Sequence, residues 1–167
     1  APPTDATVSK PAEAKPVTPG ESPFPDDYDT IEPAKWRTVK LSMDLSHGGR
    51  CDITLLRPLP WIEFTGAKVG GTIDLHMPEM GVAGAAKVVA IKPCPEISPP
   101  KPGMRPVTGT FKTTNAKVID LAIEGLDKPI GTTASHPFWS LDRGGWVAAG
   151  DLKRGETLIS TGSRMRP

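Results

Sequence analysis

Cysteine is scarce in this chain of 167 residues: Cys51 and Cys94 are the whole supply. Two thiols exclude a multi-disulfide framework, leave one bridge open, and do not fix a redox compartment. No stretch approaches the roughly 18 uninterrupted apolar residues that a membrane-spanning helix needs. An excess of either charge is missing too, because 20 Lys and Arg against 19 Asp and Glu leave +1. That balance is too small for a general nucleic-acid or membrane-surface binder. An initiator Met, a charged leader and an apolar signal segment are not seen at Ala1. The chain is therefore expected to be a piece of a longer polypeptide.

Proline is abundant, at 20 residues, and clustered in a way that excludes a helical bundle. Eight prolines fall in 1–33 and six in 93–106. The first of these stretches holds almost no aliphatic side chains. It cannot bury enough apolar surface to offset the cost of ordering its backbone, about 1–2 kcal/mol per residue. Residues 1–33 are read as a disordered, semi-extended Pro/Ala-rich linker, and 161–167 as a disordered tail. The acidic run Asp26, Asp27, Asp29 and Glu32 is read as a solvated patch.

From Trp36 the pattern alternates. Val39, Leu41, Met43 and Leu45 recur at every second position, and Cys51, Ile53 and Leu55 do the same after Ser46-His47-Gly48-Gly49-Arg50. Two alternating runs about a glycine turn predict a β-hairpin with one wet face. Pro58 and Pro60 end it, and Trp61–Phe64 suits a helical turn before Gly66. Further strands are expected at Val69–Met77, with Gly70-Gly71 marking a bulge or close backbone approach, and at 86–91. Others follow at 107–112, 118–124, 130–133, 146–149 and 157–160. Many short strands at this spacing predict an all-β fold, with a β-rich leader part over 34–106 and a second part over 107–160.

The chemistry-bearing stretch is Val118–Leu158. Its strand turns at Gly125–Lys128 and returns through Ile130 to Thr133. His136 follows three residues later, its backbone fixed by Pro137. Phe138, Trp139 and Trp146 are placed as an apolar wall and core. His47 and Cys51, four apart across a glycine turn, lack the second pair a zinc site needs. His76 should face solvent, and Gly70-Gly71 is followed by no Lys-Ser/Thr of a phosphate loop. No metal and no cofactor is expected.

Gly131-Thr132-Thr133-Ala134-Ser135-His136-Pro137-Phe138 resembles the T-x-x-H block, followed by Pro-Phe, of the Hint (Hedgehog/intein) superfamily, especially the pretoxin-type modules of bacterial polymorphic toxins and Rhs-like proteins. Trp146-Val147-Ala148-Ala149-Gly150-Asp151-Leu152 and Lys153-Arg154-Gly155-Glu156-Thr157-Leu158 are similar to the family's W-V-x-A-x-x-L and L-x-x-G-[DE]-x-L. The resemblance covers about fifty residues and implies a Hint-like fold, cut short at its C-terminal side. It implies self-cleavage by an N-to-S/O acyl shift that releases a C-terminal toxin or effector. In that chemistry a Cys or Ser attacks the preceding carbonyl. The histidine protonates the leaving amide nitrogen, a task suited to a group that holds and releases protons near neutrality. Carried over, His136 is the proton donor and Thr133 orients the scissile peptide.

The opening Cys block of the family is missing: Cys51 lies in a predicted strand and Cys94 between two prolines. No terminal Val-His-Asn follows Leu158. Without a positioned nucleophile the proximity gain, about 7–11 kcal/mol in well-oriented cases, is lost. The fragment alone is expected to be inactive. Its partner is its own polypeptide chain, with no nucleic acid and no membrane, and its source a secreted or surface-delivered bacterial protein. The alternative is a non-catalytic β-rich spacer or interaction module that keeps the scaffold.

Overall fold

A computed structural model describes residues 31–160; the tail read at 161–167 and all but the last three residues of the linker read at 1–33 lie outside them. Ile31 is already buried, and Pro33 opens a 3-10 turn that leads into the first strand.

The fold is all-β and antiparallel. Five strands form the main sheet: β1 (Trp36–Asp44), β2 (Arg50–Pro58), β3 (Thr72–Met77), β4 (Val82–Pro93) and β5 (Gly109–Thr114), in the order β3-β4-β1-β2-β5. The alternation seen in the sequence puts Val39, Leu41 and Met43 of β1 and Cys51, Ile53 and Leu55 of β2 on one face. All six are buried, and Ile73, Leu75, Val82, Ala86 and Val88 join them. The one α-helix among the described residues, α1 (Leu59–Thr65), adds Trp61 to this core and ends at Gly66 in the left-handed conformation. Arg57, buried beside it, lies 5.7 Å from the Trp61 ring and donates to the Thr108 carbonyl. The Pro-rich connection before β5 is thereby tied to the end of β2.

The bulge lies elsewhere than Gly70-Gly71. Lys40 pairs with Ala90 but Leu41 with Val88, so Val89 is the extra residue and points outward. This re-phasing is why 86–91 does not alternate strictly. Gly70-Gly71 makes the close backbone approach instead, exchanging hydrogen bonds with Val88 at 2.8 and 2.9 Å.

The architecture does not divide at 106/107. Residues 109–114, read as the start of the second part, are the edge strand beside β2. The break follows at 115–117, where Asn115 takes a positive φ. Beyond it come two small ribbons, β6 (Val118–Leu121) with β7 (Ile130–Thr133), and β8 (Pro137–Ser140) with β9 (Gly145–Ala148). Leu158 bridges to Ser140 and extends the second ribbon by a third short segment. These ribbons sit at the end of the sheet where the β1–β2 and β3–β4 connections turn. A Cβ on Gly81 would lie 2.8 Å from the Ser135 carbonyl oxygen, and one on Gly49 would lie 2.9 Å from Ala116.

Candidate functional site

β6 and β7 pair in the register Val118↔Thr133 to Leu121↔Ile130, and β7 delivers the chain to the Thr133–His136 turn. The turn closes through a hydrogen bond from the His136 N–H to the Thr133 carbonyl at 3.0 Å. Two further backbone bonds fix it: Ala149 N–H donates to His136 O and Gly150 N–H to Ala134 O, both at 2.8 Å. Ala134 and Ser135 are buried in the turn, Thr133 is half-buried, and His136 is exposed. The imidazole meets the Phe138 ring edge-on, with centroids 5.2 Å apart.

Trp139 and Trp146 do not wall this histidine. They pack on each other, 5.4 Å between centroids and nearly perpendicular. Trp146 keeps 42% of its surface in water, so it is not core. The reason is register. Trp139 and Trp146 are cross-strand partners on the outer face of the ribbon, while the inner face takes Ser140 and Val147. His76, expected in solvent, is half-buried at the end of β3.

The best-built polar cluster of this region centres on Glu156, the acidic position of the L-x-x-G-[DE]-x-L stretch. Arg143 clamps its carboxylate with Nε at 2.8 Å from Oε1 and Nη2 at 2.8 Å from Oε2. The Ser140 hydroxyl, fully buried, donates to Oε1 at 2.6 Å, and the Lys153 N–H donates to Oε2 at 2.8 Å. That backbone N–H, then the Ser140 hydroxyl, hold the carboxyl below the ordinary glutamate range against partial desolvation, and the Arg143 charge adds to this. Arg143 also donates to the Asp151 carbonyl at 2.9 Å. The Arg143 Nε and Nη2, the Ser140 hydroxyl and the Lys153 N–H all bind within the fold, so the cluster staples 153–158 to β8 and to the β8–β9 turn.

A second contact joins the two parts of the molecule. His47, at the tip of the β1–β2 hairpin, places Nε2 3.0 Å from Asp151 Oδ1. Its ring lies over Gly150, where a Cβ would come within 2.8 Å of the imidazole. In the sequence His47 stands as a turn residue paired, four positions apart, with Cys51, and Glu156 as one letter of a motif. Nothing local to His47 signals a partner so far along the chain.

Neither thiol lies at the T-x-x-H turn. Both cysteines are free. Cys51 is buried in β2 between Met43 and Thr113. Burial pushes its thiol up, the Asp52 charge adding to this and the Thr113 hydroxyl opposing it. Cys94 follows Pro93, which pairs with Arg37 near the start of β1. That is the opposite end of the sheet from the ribbons. Partial burial raises the Cys94 thiol too, against the nearby Arg37 charge. Among the described residues no three or more His, Cys, Asp or Glu side chains are grouped to hold a metal ion. No described helix is long and apolar enough to cross a membrane.

No protein-family model, curated protein or solved structure matches the chain.

Proposed function

We propose that the chain is a Hint-type autoprocessing module of a larger bacterial protein. Its described residues supply the amide-activating histidine and its scaffold, and the acyl-accepting nucleophile lies outside them. The observation that carries this reading is the convergence of the motif blocks on one turn. Residues of the W-V-x-A stretch hold the backbone of His136 from one side through Ala149 N–H. Glu156 of the following stretch locks the strand that leaves Pro137 through Ser140. A turn fixed at both its arms and carrying an exposed imidazole suits a group that must meet a peptide nitrogen arriving from elsewhere in the chain.

In the proposed reaction a Cys thiolate, or a Ser hydroxyl that gives up its proton to water as it attacks, adds to the carbonyl of the peptide bond before it. The bond from that carbonyl to nitrogen breaks. His136, protonated, gives its proton to the departing amine, and Thr133 orients the peptide. The product is a thioester or ester whose hydrolysis separates the two flanks.

The test uses the polypeptide as it is encoded, with whatever sequence flanks this chain. With His136→Ala, cleavage should fall by about 10²-fold or more, the lower range for loss of a general acid. Processing at the wild-type rate overturns the assignment. A second reading, the non-catalytic spacer or interaction module, is favoured by one observation: the His136 imidazole touches no polar side chain among the described residues and is open to water. Under that reading neither the wild type nor the variant is cleaved.

A further inference from the structure

The β8–β9 ribbon exposes an apolar outer face that the autoprocessing reading does not use. Trp146, Trp139 and Ile159 stand opposite one another across its three segments, since Trp139 pairs with Trp146 and accepts the Ile159 N–H at 3.1 Å. Leu141 follows Ser140 at the start of the β8–β9 turn. Trp146, Ile159 and Leu141 keep 42%, 52% and 44% of their surfaces in water. The two indoles meet edge to face, and beside Trp146 opens a shallow depression bordered by Arg143, Gly145, Ala148 and Asp151.

We propose that this face docks the chain's own proline-rich stretch, residues 11–19, in polyproline II form. Two observations select that occupant, its proline content and its reach. Paired aromatic rings with flanking apolar side chains are the surface on which proline-rich segments dock, because the ligand is pre-extended and loses little entropy. Residues 11–19 carry three prolines, Pro11, Pro16 and Pro19, the last two in the P-x-x-P spacing.

Reach is sufficient. The ribbons lie about 26 Å from Trp36, the length of β1 at about 3.3 Å per step. Pro11–Pro19 precede Ile31 by 12 to 20 positions, a path of up to about 37–62 Å in polyproline II. Tethering in the same chain raises the effective concentration to about the millimolar range, so a weak contact suffices.

The test uses the full chain, with a nitroxide on the cysteine introduced by Ala14→Cys in a Cys94→Ser background. Cys51, buried in β2, stays unlabelled. The readout is paramagnetic loss of the four indole N–H signals. Docking broadens Trp139 and Trp146 more than Trp36 and Trp61, and Pro16→Ser with Pro19→Ser relieves that loss. A tether that does not dock gives the reverse order, since Trp36 is only five residues from Ile31, and overturns the proposal. Broadening confined to a mixture of spin-labelled chains with unlabelled, isotope-enriched ones would assign the face to a second copy and overturn it too.

Discussion

Glu156 gathers a guanidinium, a buried hydroxyl and a backbone N–H on one carboxylate, and its ionisation should set the acid stability of the second part. The carboxyl is held below its ordinary range, so between the folded and unfolded values the unfolded chain binds more protons. The stability it contributes is fully present above the ordinary glutamate range and is lost as pH falls through the folded value. In urea, Glu156→Gln should lower the unfolding midpoint at neutral pH, and the gap to wild type should close with acid. A gap unchanged between pH 7 and pH 3 would show that the charge is not what the cluster uses. Cysteine gives a second expectation. In the native protein a thiol reagent should modify Cys94, partly open to water, well before Cys51, 1% exposed and raised by burial. Equal rates would mean that β2 does not seal Cys51. Of these features the sequence showed only letters. The partners of Glu156 stand 13 and 16 residues upstream, across two turns, and no periodicity brings them together. His136 was legible as a turn residue before proline, but its exposure depends on which face the ribbon buries.

Hairpin and turn elements were read more fully, because half-buried antiparallel strands write their pleat into the sequence. β1, β2 and β3 follow from their alternating aliphatics. β8 did not, since Pro137–Ser140 is four residues long with no aliphatic alternation, and its strand character comes from pairing with β9 and Leu158. The short 3-10 turn at Pro78–Met80 was also unread, although it seats the second part. Gly81 closes it with φ of 72° and its Cα faces the Ser135 carbonyl at the distance of a collision for any Cβ. Gly48 shares the positive φ but has open space around it. An alanine at Gly48 should therefore cost only the left-handed penalty, about 1–2 kcal/mol. At Gly81 the loss should be larger, by roughly 1–3 kcal/mol for the steric clash, in chemical denaturation. Equal losses would mean that the turn does not press on β8.

At the scale of the molecule, the main sheet carries the apolar core and the ribbons are mounted on one of its ends. This arrangement separates the groups that acyl-shift chemistry must bring together. Cys94 is at the far end, Cys51 is sealed in the sheet, and of the T-x-x-H turn only His136 is open to water. The autoprocessing reading therefore depends on a nucleophile from another stretch of polypeptide, since neither cysteine lies at the turn. A trapped acyl intermediate tests this directly. Hydroxylamine cleaves esters and thioesters but spares ordinary peptide bonds. Added to the purified polypeptide with its native flanks, it should release a fragment, read by intact mass, whose new C-terminus carries a hydroxamate. The His136→Ala variant should release little of that fragment. Equal yields from the two proteins, or none from either, would leave His136 without a part in acyl chemistry.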